Sequence, residues 1–93
     1  MFIAVDEYCA RGPQGVEVRV EDGYLDYRSG ERSTRIEYEF LLNERELVIH
    51  ESTIRIWDTP SGAGLIGSIE RQALVRDLSA ALSVLGVKHR LES

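Results

Sequence analysis

The chain has 93 residues, 43% of them hydrophobic and 29% charged. That is a globular composition sized for one domain, residues 1–93, burying roughly 60–65% of its unfolded surface. Eleven basic against sixteen acidic side chains leave a net charge of −5, the wrong sign for a nucleic-acid binder. No apolar run nears the ~18 residues of a membrane span and the start lacks a basic leader, so no membrane association is expected; a lone cysteine, Cys9, excludes an internal disulfide and suits the cytoplasm.

The acidity is uneven: residues 1–62 carry 7 basic and 13 acidic side chains, residues 63–93 carry 4 and 3. Met1 to Val5 could form an edge strand, but Gly12-Pro13 and Gly15 interrupt the pattern beyond it, and residues 6–15 read as loop. Val16, Val18 and Val20 alternate with Glu17, Arg19 and Glu21, the period of a half-buried strand. Asp22-Gly23 supplies a tight turn, Tyr24 to Arg28 returns, and Ser29-Gly30 marks the next turn. From Ser33 the alternation is cleanest, with Thr34, Ile36, Tyr38 and Phe40 on one face and Arg35, Glu37 and Glu39 on the other.

Asn43-Glu44 is a hairpin tip, after which Leu47-Val48-Ile49 runs back. Thr53 to Trp57 is β-branched and reads as the next strand. Glu51-Ser52 between them is a bulge or corner, because the apolar parity changes there. Residues 58–67 are rich in Gly and Pro and form a connector. Ser68 then caps a helix with Glu70 in its first turn. Leu74, Leu78, Ala81, Leu82 and Leu85 form its apolar stripe, and Gly86 ends it. Val87 to Leu91 alternates as a closing strand.

These elements predict an α+β fold: an antiparallel β-meander of about five to six strands, one C-terminal helix packed on one face, and a short closing strand. The leucine stripe should pack on Ile36, Tyr38, Phe40, Leu47 and Ile49. The other face, bearing Arg19, Glu37, Glu39, Val48 and His50, is left open to water or a partner.

No constellation of catalytic residues stands out. Cys9 with His50 or His89 is the only Cys/His set, and Glu-Tyr-Cys-Ala-Arg has no nucleophile-elbow context. Two histidines 39 positions apart with one cysteine do not meet metal-ligand spacing. Glu37 and Glu39 point the same way about 7 Å apart along a strand; without an Asp-x-Asp-x-Asp-Gly loop they read as a solvated face rather than a calcium site. Gly62, Gly64 and Gly67 form a Gly-x-Gly-x-x-Gly between strand and helix. Yet 26 residues after the last glycine cannot hold a βαβ unit with its acidic ribose contact, so a plain crossover is the simpler reading. No cofactor, metal or catalytic residue is expected. Trp57 either plugs the end of the core or anchors a partner.

The order of elements carries a resemblance. Gly23-Tyr24-Leu25-Asp26-Tyr27-Arg28 is followed by a Tyr38-Glu39-Phe40-Leu41-Leu42 strand, then Ile54-Arg55-Ile56-Trp57 with Pro60 nearby. The helix leads into Leu85-Gly86-Val87-Lys88-His89. Over residues 16–92 this resembles the small immunity proteins of bacterial polymorphic-toxin and contact-dependent inhibition systems, in one family of which an Ile-x-x-Trp-x-x-Pro segment recurs (Ile54, Trp57 and Pro60 here). The resemblance implies a cytoplasmic protein that binds one cognate toxin and covers its active site.

An acidic surface suits a basic target such as a nuclease toxin. Strand parity and turn exposure nominate Glu37, Glu39, Glu44, Glu46 and Asp58 as stand-ins for phosphates, with Trp57 or Tyr24 as aromatic anchor. The competing reading is a small adaptor without catalytic activity that docks or homodimerises through the open sheet face; a third is a small enzyme using Cys9.

Overall fold

A computed structural model describes residues 1–60, 62 and 64–92. These described residues form one seven-stranded sheet in sequential order, with a single α-helix over one face. The strands are β1 (Ile3–Asp6), β2 (Cys9–Arg11), β3 (Val16–Val20), β4 (Tyr24–Ser29), β5 (Arg32–Leu41), β6 (Glu46–His50) and β7 (His89–Glu92), and the helix is α1 (Ser68–Val84). All neighbours pair antiparallel except β6 and β7, which are parallel. A parallel return needs a crossover, and α1 with its connector is that crossover.

The core is the α1 stripe Leu74, Leu78, Ala81 and Leu82 against Ala10, Val18, Leu25, Tyr27, Ile36, Leu47 and Ile49. Ile54, Trp57 and Ile66 close it from the connector, and Phe2 closes it from the N-terminus. Polar ties fix the helix to the sheet. The Tyr27 hydroxyl donates to Asp77 Oδ2 at 2.8 Å, Arg32 Nη1 to Glu70 Oε2 at 2.9 Å, and Ser79 Oγ lies 2.8 Å from His89 Nε2.

The strand β5 belongs to two partners in succession. Residues 32–37 pair with β4, while Tyr38 to Leu41 pair with β6. The Tyr38 hydroxyl donates to the Glu21 carbonyl at 2.6 Å and accepts the Gly23 N–H at 3.3 Å. It thereby pins the β3–β4 turn against the middle of β5.

The structure departs from the sequence reading in several places. Residues 6–15 are not all loop: β1 and β2 form a hairpin turned at Glu7-Tyr8, with the Tyr8 N–H on Asp6 Oδ1 at 2.8 Å. Its turn contains no glycine, so the usual sign was missing. Gly12 instead serves a close approach, since a Cβ there would lie 2.6 Å from the Phe2 ring.

Thr53 to Trp57 is not a strand. Glu51–Thr53 is a 3₁₀ turn, the corner form of the two readings at Glu51-Ser52, and Ile56 makes only an isolated bridge to Leu65. Residues 55–57 double back on 64–66, through Trp57 N–H to the Gly64 carbonyl at 3.0 Å and Ile66 N–H to the Arg55 carbonyl at 2.7 Å. The helix cap is Gly67 rather than Ser68; Gly67 N–H donates to Glu70 Oε1 at 3.2 Å. Gly86 ends the helix as expected, at φ 73°.

Two burial assignments also change. Phe40, expected under the leucine stripe, is 50% exposed, because β5 runs out beyond the end of the helix cover. Val48, expected on the open face, is only 3% exposed. It does point outward, but it sits in register between Glu39 and Arg90, whose long side chains cover it.

Candidate functional site

Strand alternation decides what the outer face presents. On β2 to β4 and the first half of β5 it carries Arg11, Glu17, Arg19, Asp26, Arg28, Tyr24, Arg35 and Glu37. Here opposite charges are interleaved. Arg11 lies 3.5 Å from Glu17, Arg19 lies 3.8 Å from Asp6 and 4.0 Å from Glu21, and Arg28 lies 3.8 Å from Asp26. Arg35 stacks over the Tyr24 ring at 4.9 Å.

From the second half of β5 to β7 the same face presents Glu39, Glu46, Val48, His50, Arg90 and Glu92. Four side chains form a chain of contacts around Val48 that Glu39 completes. Arg90 reaches Glu46 at 3.4 Å and Glu92 at 3.0 Å. His50 reaches Glu39 at 2.7 Å through Nε2 and Glu92 at 3.9 Å through Nδ1. Three carboxylates here share one guanidinium and one imidazole. Glu44 adds another at the β5–β6 tip. This half of the face carries excess negative charge, whereas the other half is internally paired.

Of the residues nominated from sequence, Glu37, Glu39, Glu44 and Glu46 all fall on the β5–β6 ribbon. Glu37, Glu39 and Glu44 are exposed, and Glu46 is half-buried beside Arg90. Glu37 also lines an open groove of about 630 Å³ with Asp22, Tyr24, Arg35, Asp58 and Thr59.

Asp58 is exposed in that groove, but its Oδ2 accepts the Arg35 N–H at 2.7 Å and lies 3.3 Å from Thr34 Oγ1. One carboxylate oxygen thus holds the connector to β5. Trp57 takes the core position of its two readings. It is 6% exposed, beneath Arg32 at 4.3 Å and beside Tyr27, so it offers a partner no open anchor. Its Nε1 has no hydrogen-bond partner among the described residues.

The chemistry weighed for Cys9 has no geometry behind it. Cys9 is 1% exposed, with its thiol 3.5 Å from Glu17 Oε1. Burial and the adjacent carboxylate push the thiol up, away from the nucleophilic thiolate. Strands β3, β4 and β5 stand between it and the β6 that ends in His50. His89 faces the helix and is held by Ser79 and the Val87 carbonyl.

Among the described residues no group of three His, Cys, Asp or Glu could hold a metal ion. The glycine segment 61–67 is described at Gly62 and from Gly64 on; Ser61 and Ala63 lie outside the described residues. At the helix N-terminus, where a phosphate would bind, Glu70 already occupies the Gly67 N–H, and with Arg32 alongside, its carboxyl is held below the usual range.

What sequence reasoning missed is the contribution of β7 to this surface. Arg90 and Glu92 were legible as an outward-facing alternation; their position beside β6 was not. It also missed the exposure of Phe40 and Leu42 at the ribbon's end.

No helix is long and apolar enough to cross a membrane among the described residues. No curated protein and no solved structure matches this chain. A family model does, over residues 17–92, from the second residue of β3 to the end of β7. By that match, which leaves out β1, β2 and the turn after them, the chain belongs to the Immunity protein 74 family.

Proposed function

We propose that this chain is a cytoplasmic immunity protein of bacterial competition that neutralises a cognate polymorphic toxin by covering it, with no chemistry of its own. The toxin it suits has a basic surface, as a nuclease that grips phosphate does. The observation that carries this is the excess of carboxylates over guanidinium groups on one half of the outer face, in a member of an immunity family. Glu37, Glu39, Glu44 and Glu46 are the contact residues. Such charges accelerate encounter and set register. Asp58 and Trp57 support the ribbon from behind, the first by fixing the connector and the second by filling the core.

The test is co-expression with the toxin domain encoded beside this chain. Growth should be restored, and the two proteins should co-purify with sub-micromolar affinity. Persistent growth arrest with no complex overturns the reading.

The alternative is an adaptor that homodimerises. It draws support from β1, an edge strand whose four residues are all exposed, Ile3 and Val5 among them. Unblocked edges are templates for strand pairing. Light scattering separates the two: a concentration-independent dimer without any toxin complex favours the adaptor.

A further inference from the structure

Strand β5 outruns the neighbour on its β4 side. Tyr24, the first residue of β4, lies opposite Glu37, and the Asp22-Gly23 turn leads away from it to β3. Tyr38 to Leu41 therefore have β6 on one side and no strand on the other. Two sets of hydrogen bonds fix which backbone groups face that open side. Ser33 donates to the Thr59 carbonyl and accepts the Asp58 and Thr59 N–H groups, and the Arg35 N–H goes to the Asp58 carboxylate, so the odd-numbered residues of β5 aim away from β4. The Leu47 N–H goes to the Lys88 carbonyl, so Leu47 aims at β7 and its register partner Phe40 aims away from β6. Both place the N–H and carbonyl of Tyr38 and of Phe40 on the open side. Neither backbone has a hydrogen-bond partner among the described residues. A sheet edge in this state is a template for one more strand.

We infer that an extended segment of the toxin adds antiparallel to β5 at Tyr38–Phe40, in the place where β4 is missing, with a lysine or arginine opposite Glu39. This rests on the immunity reading and names how the toxin is held. Alternation sets what the segment carries. Its residue opposite Glu39 falls on the outer face, where Glu37 and Glu39 are exposed. The open groove where β4 begins adds Asp22 on that face, and the one cation among its lining residues, Arg35, lies over the Tyr24 ring. The residues on either side fall on the opposite face, beside Tyr38 and the half-exposed Phe40, and should be apolar. A second copy of this chain is the wrong occupant. The antiparallel self-pairing that engages both Tyr38 and Phe40 sets Glu39 directly against its own counterpart, at the closest spacing of a ladder.

The experiment follows amide hydrogen exchange in this chain with and without the toxin domain encoded beside it. On binding, the Tyr38 and Phe40 amides should slow at least about tenfold. Phe40→Pro removes one donor without breaking a ladder bond, because that N–H makes none in the free chain. It should weaken binding at least about tenfold more than Phe40→Ala, which keeps the N–H. If the proline variant fails to fold, judged by its thermal midpoint, the exchange measurement decides alone. If wild-type chain binds and neutralises but both amides keep their free rates, strand addition is overturned and the immunity reading stands. Protection that arises in the free chain and grows with its own concentration assigns the edge to a second copy and likewise overturns it. If wild-type chain binds no toxin, both fall.

Discussion

Between β2 and the first half of β5, the outer face interleaves arginine with carboxylate, and pairs such as Arg11–Glu17 and Arg28–Asp26 sit at 3.5 and 3.8 Å. From the second half of β5 to β7 the residue types are the same, but the balance is not. Glu39, Glu46 and Glu92 share Arg90 and His50, and Glu44 is exposed at the tip beside Arg45. The first surface cancels its own field at short range. The second projects a field into solvent, within the ~10 Å that salt permits. Total charge is therefore a poor guide to where a partner binds; local cancellation decides it.

Both halves rest on one helix, and the largest effect should appear when that shared support is cut. Leu78 is fully buried, at 0% exposure, so Leu78→Ala should cost roughly 2–5 kcal/mol by denaturant unfolding. Loss of fold in one half only would show that the two halves are separately stable.

Next comes charge. Glu39→Lys with Glu44→Lys should weaken toxin binding about 10–100-fold, mostly in the association rate and less at high salt. In the paired half, Asp26→Asn removes the half-buried partner of the exposed Arg28 and should shift stability by less than about 1 kcal/mol, leaving association close to its original rate. Equal losses from both sites would abolish the distinction.

A smaller effect is expected at Tyr27, which joins the paired half to α1. Burial first, then the Asp77 hydrogen bond, push its phenol well above the ordinary tyrosine range. The folded state therefore keeps a proton that the unfolded chain releases near pH 10. Stability from this group is complete below that pH and drains away as pH rises above it. Tyr27→Phe should cost about 1 kcal/mol at neutral pH. It should also flatten the alkaline decline and remove the last phenol to ionise in an ultraviolet titration. Unchanged alkaline behaviour would mean that Tyr27 is hydrated.

Most of the fold was legible because it arises from local pattern. The valines of β3, the alternation through β5, the turns at Gly23 and Gly30, and the leucine stripe closed by Gly86 each carry their own signal. The failures are equally specific. The β1–β2 hairpin turns at Glu7-Tyr8 without glycine, and β2 has only three residues, too few for a period. Thr53 to Trp57 has the composition of a strand, but its backbone-to-backbone hydrogen bonds stay within the 51–66 segment, and among the described residues the only tie from β5 to its backbone is the Thr34 hydroxyl on the Ile56 carbonyl.

For the candidate site, Glu37, Glu39, Glu44 and Glu46 could be placed on one ribbon from parity and turn position. Trp57 could not be assigned, because a tryptophan ending an apolar run reads the same whether a core or a partner covers it. The Arg32 guanidinium above it comes from a strand 25 positions away.

By itself, the amino-acid order determined the elements: which residues alternate, where the chain turns, and which stripe of the helix is apolar, since these depend on neighbours two to four positions apart. Only the tertiary structure decided which charges cancel and which aromatic stays open. Charge cancellation depends on strand register, which set β7 beside β6 and brought Arg90 to Glu46. Exposure depends on where the helix cover stops, which left Phe40 beyond it. Both are distances between residues far apart in the chain, and no local pattern encodes them.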